Sequence, residues 1–391
     1  MRILFNCTGD YGHFHPLAVL AQALKARGHE IRFASEKGFA GQITAAGFEV
    51  VPLPERDPPG RSNEWSAWIA TMEKQDLATR GPAILLWFWE GAMRALPTLS
   101  ETVERWRPDV IVGEQTAWAA AVAAELADLP YATFRFHPRP PGLLKAILGE
   151  RIDRDLEAAG VAGDVGILET DRYLGLVGGP RGWFEEQDLG LNIQLIQPPL
   201  FAGSGGETPT WIDSLGANRP LVYVTMGTVF NRDPALFQAI LDGLAASDVD
   251  ALVTVGPKRP GGVSADQLGD LPDGIRVEEY VDQSLVLPKA AAVIAHGGYG
   301  TTMGALAHGL PVVCIPQAAL DNRANAERVS RLGAGVIVDD ASSAAIAAAI
   351  SSLIGDPAPR AAAARAATSI RELPDASQTA VLIEGIARAP V

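Results

Sequence analysis

AVIAHGGYGTTMGALAHGLPVVCIPQAALDNRANAERV, residues Ala292 to Val329, decides the fold. The apolar run Ala292–Ala295 ends in His296-Gly297-Gly298-Tyr299-Gly300-Thr301-Thr302, an Ala/Leu-rich stretch covers Thr301–His308, and a second apolar run lies at Val312–Ile315. Strand, glycine turn, helix and strand form the unit from which helix-covered parallel sheets are built. Reading outward, strands are expected at Leu221–Met226, Ala251–Val255 and Arg276–Val281, with helices around Ala235–Ala246, Asn322–Leu332 and Ala341–Ile354. The first half shows the same alternation, with strands at Arg2–Cys7, His29–Ser35, Glu49–Leu53, Asp109–Gly113 and Tyr131–Phe136 and helices near His15–Arg27, Met93–Arg107 and Ala117–Ala127. Each unit requires a right-handed crossover, so the chain reads as α/β, with two Rossmann-like doubly wound parallel sheets.

The two halves are separated by Gln197-Pro198-Pro199-Leu200-Phe201-Ala202-Gly203-Ser204-Gly205-Gly206, whose Pro, Gly and Ser content is that of a linker. The expected domains are 1–203 and 211–375, followed by a terminal segment 376–391 carrying a helix near Ser377–Ala387. With 48% apolar and 20% charged residues over 391 positions, both domains can bury cores without staples. A net charge of −14 argues against a nucleic-acid partner. Cys7 and Cys314 fall in apolar strands and make neither a metal pattern nor a disulfide framework. The N-terminus lacks a signal-peptide pattern, and the most membrane-like run, Ile84–Trp89, is far short of a span. A cytoplasmic protein with no membrane partner is expected, the run being a buried helix or pocket wall.

The glycine turn at His296–Thr302 lets backbone approach a ligand closely and aims helix N–H groups at an anion, which suits a diphosphate. His296, Thr301 and Thr302 would add side-chain donors; the alternative is a plain capped helix start. Three more segments end strands at the same sheet edge: Thr225-Met226-Gly227-Thr228, Glu279-Tyr280-Val281-Asp282-Gln283, and Asp321-Asn322. Open αβ sheets bind ligands at that edge, so four such loops suggest a nucleotide site. Seven of the eight tryptophans precede residue 203. They read either as core or as an apolar aromatic pocket in the irregular stretch Pro54–Gly91. Trp65 and Trp87 in that stretch, with Phe136 at the end of its strand, are the candidate acceptor-binding residues.

HGGYGTT, LPVVCIPQ and LDNRANAERV, together with the N-terminal GHFHP and RGHEIRFAS, resemble the GT-B-fold glycosyltransferases that decorate natural products, especially the bacterial macrolide and enediyne antibiotic enzymes. The resemblance runs from end to end, strongest over 1–53 and 275–338 and weakest over 54–97 and 137–195, where acceptor pockets vary. It implies two domains facing each other across a cleft and a hexosyltransferase-type transfer from a dTDP- or UDP-sugar to a small-molecule acceptor, with inversion and without a metal or resident cofactor. It also implies that the last helix packs back on the first domain. His296, Gly297, Gly298, Gly300, Thr301 and Thr302 would hold the diphosphate with Gly227 and Thr228, Val281 and Gln283 would meet the base, and Asp321 and Asn322 would hold sugar hydroxyls. Three departures stand out. Gly304 replaces the glutamate of the plant-type motif, which slightly favours a deoxyribose donor; Asp321-Asn322 stands for Asp-Gln; and Asp282-Gln283 stands for Pro-Gln.

Inverting transfer needs a base near neutrality for the acceptor hydroxyl. His13 occupies the family's base position in the Gly-His-x-x-Pro pattern, Gly12 keeps the turn open toward the donor, and His15 reads as local structure. A carboxylate on the other ring nitrogen would fix the tautomer, and Glu114, at the end of the strand Asp109–Gly113, is the candidate; Asp109 begins that strand and should lie at the far edge. Asp153-Arg154-Asp155 mimics the Asp-x-Asp of metal-dependent transferases, but RIDRDLEAAG reads as a helix on which residues two apart do not share a face. The competing functions are a GT-B sugar-nucleotide epimerase or hydrolase, and a nucleotide-sugar-binding auxiliary protein without catalysis. The first turn, Thr8 to His13, argues against a Rossmann dehydrogenase, because it lacks the G-x-G-x-x-G spacing. Acceptor identity, linkage atom and oligomeric state, monomer or homodimer, are left open.

Overall fold

Apolar β-branched runs buried on both faces assemble into two parallel sheets. The computed structural model describes residues 1–56, 71, 75–137, 143–161, 172–185, 189–190, 192–203, 208–227, 232–256, 262–317 and 321–388. In the first sheet, β1 (Arg2–Asn6), β2 (Glu30–Glu36), β3 (Glu49–Leu53), β4 (Val110–Glu114), β5 (Tyr131–Arg135), β6 (Leu174–Gly178) and β7 (Ile193–Ile196) run in the order β3-β2-β1-β4-β5-β6-β7. In the second, β8 (Leu221–Thr225), β9 (Asp250–Thr254), β10 (Ile275–Glu278), β11 (Ala292–Ala295), β12 (Val312–Cys314) and β13 (Gly335–Ile337) run β10-β9-β8-β11-β12-β13. Every pairing is parallel. The chain forms two compact units, Met1–Gly179 with Phe184–Phe201 and Leu373–Val391, and Pro180–Trp183 with Ala202–Glu372.

Each sheet reverses its strand order once, between β1 and β4 in the first and between β8 and β11 in the second. At such a point the loops after neighbouring strands diverge and leave a crevice at the carboxyl edge. The register Asn6↔Gly113 sets the residues after β1 beside Glu114, and Ala295↔Thr225 sets those after β11 beside the residues after β8.

Helix boundaries depart from the sequence expectation where capping and aromatic runs obscure periodicity. The helix expected from Met93 spans Leu77–Trp106, opened by Asp76, whose carboxylate accepts from Thr79 N–H. It carries the Ile84–Trp89 run, with Trp89 fully buried and its Nε1 donating to Asp155 Oδ2 at 2.7 Å. The first helix begins at Tyr11, four residues before the expected start, because Asp10 accepts from Gly12 N–H and caps it. Strands β6, β7 and β13 and the helix Pro357–Arg371 had no counterpart in the sequence reading. That helix starts on Asp356 as cap and Pro357 in the first turn, a start signal inside an Ala-rich run with little periodicity.

The terminal helix Ala376–Arg388 belongs to the first unit. Its buried Glu384 accepts from Arg27 Nε at 2.5 Å and contacts His29 Nε2 at 2.8 Å. These partners hold the Glu384 carboxyl down at about 2. Asp153 and Asp155 do lie on a helix, Glu150–Ala158, paired with Lys145 at 3.2 Å and Arg151 at 3.5 Å. No group of three His, Cys, Asp or Glu among the described residues is arranged to hold a metal. No described helix is long and apolar enough to cross a membrane.

Candidate active site

At the switch point of the first sheet, His13 Nδ1 lies 3.1 Å from Glu114 Oε2. His13 is the third residue of its helix, aimed by the Asp10 cap, and Glu114 is the last residue of β4. The Glu114 side chain has no solvent exposure, which strands a charge unless it is fully bonded. It is: Thr116 N–H and Oγ1 donate at 2.8 and 2.8 Å, and Thr8 N–H and Oγ1 at 3.3 Å each. Every neighbour is a donor, so the site is built for an anion and leaves His13 to present Nδ1–H to it. Nε2 is then the basic nitrogen, and among the described residues it accepts no hydrogen bond.

Electrostatics support that assignment. Burial of the His13 ring works to lower its pKa, but the Glu114 charge and hydrogen bond, with help from Asp10, outweigh burial and the nearby Arg56 cation, and the net shift is upward from 6.5. Burial likewise works to raise Glu114, while His13 and the Thr116 donors pull it below the usual carboxylate range. Phe136 stands edge-on to the His13 ring at 5.2 Å, and Phe88 lies 5.9 Å away, making an aromatic frame for the imidazole. Trp87 packs beside Phe88 at 4.9 Å, whereas Trp65 lies outside the described residues. His15, two residues on, stacks on Phe201 at 4.4 Å and 10°. Asp109 sits at the opposite edge, where its carboxylate accepts from Arg2 N–H at 2.7 Å.

The switch point of the second sheet gathers a different chemistry. The helix after β11 begins at Tyr299, two residues before its expected start, with Gly298 at the cap. No side chain caps it, and its first intrahelical bond runs from Thr302 N–H to Gly298 O. The N–H groups of Tyr299, Gly300 and Thr301 therefore point outward as an anion cradle. Around them, His296 Nδ1, Thr302 Oγ1 and Asn322 Nδ2 are buried atoms with no hydrogen-bond partner among the described residues. Three orphan polar atoms beside an uncapped helix end are chemically suited to hold an anionic ligand.

Glycine makes room there. Gly227 has φ +81°, and a Cβ on it would lie 2.7 Å from the His296 ring; a Cβ on Gly298 would collide with the same ring. Gly297, at φ +86°, abuts the Asn322 carbonyl. Burial lowers the His296 pKa, opposed by the Asp321 carboxylate and the Thr225 backbone, so the imidazole is neutral near pH 7. Gln283 Nε2 donates to Thr301 Oγ1 at 3.1 Å, leaving the hydroxyl proton for a ligand, and Val281 is buried. Thr228 lies outside the described residues. Gly12 and Gly300 are each the second residue of a helix, Gly12 N–H donating to Asp10 Oδ1 at 3.0 Å, and Asp321 immediately precedes the helix Asn322–Arg331.

The sequence reading missed Asn325. Fully buried, it donates to Gly297 O at 2.9 Å and to Asp321 Oδ2 at 3.3 Å, and accepts from Arg328 Nη1 at 3.2 Å, tying the glycine loop to the Asp321–Asn322 loop. Its position one helical turn after Asp321 was the available signal.

Two doubly wound parallel-sheet units, one with a buried-carboxylate histidine and the other with an anion cradle, define a GT-B glycosyltransferase. The chain belongs to the erythromycin biosynthesis protein CIII-like family, whose N-terminal domain matches residues 22–139 and whose C-terminal domain matches residues 238–383. It is 29% identical to the L-demethylnoviosyl transferase of Streptomyces niveus, over 99% of this chain and 98% of that one. It is 31% identical to the elloramycin glycosyltransferase ElmGT of Streptomyces olivaceus, over 96% and 94% of the two chains. The solved glycosyltransferase VinC, in complex with dTDP, shares the fold at a TM-score of 0.81 and 22% identity, each chain covered to 99%. The protein is thus a glycosyltransferase of the antibiotic-biosynthesis kind that draws its sugar from a nucleotide sugar.

Proposed function

We propose that the enzyme transfers a sugar, with inversion and without a metal ion, from a dTDP- or UDP-sugar to a hydroxyl of an apolar or aromatic natural-product acceptor such as a polyketide or enediyne. The observation that carries this reading is the His13–Glu114 pair, a histidine whose Nδ1 is held at 3.1 Å by a fully buried carboxylate. Nε2 accepts the proton of the acceptor hydroxyl as the oxygen attacks the anomeric carbon from the face opposite the leaving diphosphate. The bond from the anomeric carbon to the diphosphate oxygen breaks and its electron pair leaves with the nucleoside diphosphate. Glu114 stabilises the imidazolium that forms and does not itself take the proton.

The departing charge is received by the N–H groups of Tyr299, Gly300 and Thr301, the Thr302 hydroxyl and His296. Asp321 and Asn322 are assigned to sugar hydroxyls, Val281 and Gln283 to the base, and Phe136, Trp87 and Trp65 to the acceptor. The dTDP bound by VinC and the absence of a glutamate at Gly304 favour a thymidine donor. In this reading the chain divides into 1–203, which takes the acceptor, 211–375, which takes the donor, and the terminal helical segment 376–391.

The test is His13→Ala, with sugar transfer and nucleotide binding measured separately over a panel of nucleotide sugars and hydroxylated aromatic or polyketide acceptors. Transfer should fall at least a hundredfold while dTDP affinity stays within twofold. Undiminished transfer by the variant refutes the assignment of the base.

A further inference from the structure

Arg56 lies in the irregular stretch after β3, where nothing in its sequence context marks it. In the structure four residues of the helix Leu77–Trp106 grip it. Its guanidinium lies over the Trp87 ring at 4.3 Å and the Phe88 ring at 5.0 Å, its aliphatic stem lies so close to Gly91 that any Cβ there would collide with it, and its carbonyl accepts from Arg94 Nη1. Positions 87, 88, 91 and 94 share one face of a helix. On its other side Arg56 Nε donates to Glu36 Oε1 at 2.7 Å, in a pair whose side chains are only 14% and 12% exposed. Glu36 in turn abuts the turn that leads to His13: a Cβ on Gly9 would lie 2.9 Å from Glu36 Oε2.

The geometry points to Arg56 as a positioning residue of the base, locking the aromatic wall of Trp87 and Phe88 to the Thr8–Asp10 turn and so fixing both the His13 ring and the acceptor side of its surroundings. The inference rests on the reading of His13 as base. It reaches the base by two routes. Phe88, pinned under the guanidinium, is one of the two rings framing His13, and Glu36 packs against the backbone that carries it. The cation also acts through space: of the charged groups around His13, Glu114 at the end of β4 and Asp10 in the cap favour the imidazolium, and Arg56 disfavours it. A cation pressed on aromatic faces and paired in a half-dry site is a rigid element rather than a solvated charge.

The experiment compares Arg56→Met, which keeps the stem and removes the charge, Arg56→Lys, which keeps the charge, and Gly91→Ala, which keeps every charge and displaces the stem. The His13 imidazole is titrated by NMR in the full-length protein without substrate, its signal assigned with His13→Ala, and acceptor KM, kcat and dTDP affinity are measured alongside. In Arg56→Met the His13 midpoint should move up, because a repelling cation has gone, and acceptor KM should rise about tenfold, the loss of one desolvated cation–π contact. Gly91→Ala should raise acceptor KM in the same way, dTDP affinity should stay within twofold in all variants, and Arg56→Lys should restore the midpoint. If Arg56→Met titrates as the wild type does and its acceptor KM is unchanged, the inference is overturned. If Arg56→Met does not fold, Gly91→Ala with wild-type acceptor KM overturns it equally. If His13→Ala transfers sugar as well as the wild type while the wild-type His13 midpoint still answers to Arg56, the base reading is refuted and Arg56 still fixes the ring and its aromatic wall.

Discussion

Glu114→Gln removes one charge from a site whose every neighbour is a donor, which makes its consequence calculable. The carboxylate oxygens receive Thr8 N–H, Thr116 N–H, two hydroxyls and His13 Nδ1–H. A glutamine amide puts an NH2 where one of those oxygens stood, so whichever way it turns, a donor meets donors. The loss is one charge-assisted hydrogen bond, about 1.5–3 kcal/mol, felt most when His13 becomes an imidazolium. That corresponds to a fall of roughly 10- to 100-fold in kcat. The substitution also removes the two contributions that hold the His13 pKa above 6.5, leaving burial as the largest influence, so the midpoint must cross to below 6.5. The assay is kcat/KM against pH, paired with NMR titration of His13. The acidic limb should move to lower pH while the plateau drops. A plateau that drops with the limb in place means that Glu114 only supports the fold, and a variant with kcat within threefold of wild type refutes the dyad.

Activity and stability should part company with pH. His13, with its folded pKa raised, adds stability that is fully present below 6.5 and lost as pH rises through the raised value; Glu114, lowered, adds stability present above 4.5 and lost as pH falls through its own. The pair stabilises most between 4.5 and 6.5, whereas kcat/KM should still be climbing there, a contrast that thermal melts and rates over pH 4–9 would show or deny. Gly227→Ala forces a positive φ on a residue with a Cβ and sets it 2.7 Å from His296, so dTDP affinity should fall at least tenfold by calorimetry and the melting temperature should fall with it. Asn325→Ala leaves the buried Gly297 carbonyl without its donor, a loss of about 1–3 kcal/mol, and dTDP binding should weaken 10- to 100-fold. Glu384→Ala should loosen the terminal helix, raising hydrogen exchange across 376–388 without altering dTDP affinity; in the wild type that anchor should persist above 4.5 and fail as pH falls toward 2. A chelator should leave transfer unchanged, and loss of transfer restored by added divalent cation would contradict the metal-free reading.

Which of these residues the sequence exposes follows from how parallel sheets are built. Strand order is the hidden variable, but at the carboxyl edge of a doubly wound sheet it matters little: whatever strands neighbour one another, their terminal residues share that edge. This is why His13 and Glu114, a hundred residues apart, read as one pair, and why His296 reads together with Gly227 and Asp321. The same logic gives nothing for residues that meet across a layer. Arg56 follows β3 at the end of the sheet and meets the helix Leu77–Trp106 through an aliphatic stem, a guanidinium face and a notch at Gly91, none of which carries a period or a motif. The helix itself was half hidden, because Pro82 and the six-residue apolar run Ile84–Trp89 carry no helical period and its start is marked only by Asp76.

The illegible part of the site is thus the part that packs, and it has a physical reason to differ between relatives. On the proposed mechanism the anion cradle and the base answer to chemistry that every acceptor would share, a diphosphate to hold and a hydroxyl proton to remove, so their residue types would be constrained by bond geometry. The Arg56 clamp is constrained by shape and by one ion pair: stem against glycine, cation against ring and against Glu36. A different acceptor can be accommodated by exchanging the rings and the glycine together, since a Cβ at position 91 and an arginine at position 56 exclude each other sterically. A relative with a larger residue at the position of Gly91 should therefore lack an arginine at the position of Arg56, and restoring compatibility should need both changes: Gly91→Ala alone should impair acceptor binding here, and Gly91→Ala combined with Arg56→Ala should recover part of the folding loss but not the acceptor affinity. Recovery of full acceptor affinity by that double variant would show that the clamp serves the fold and not the base.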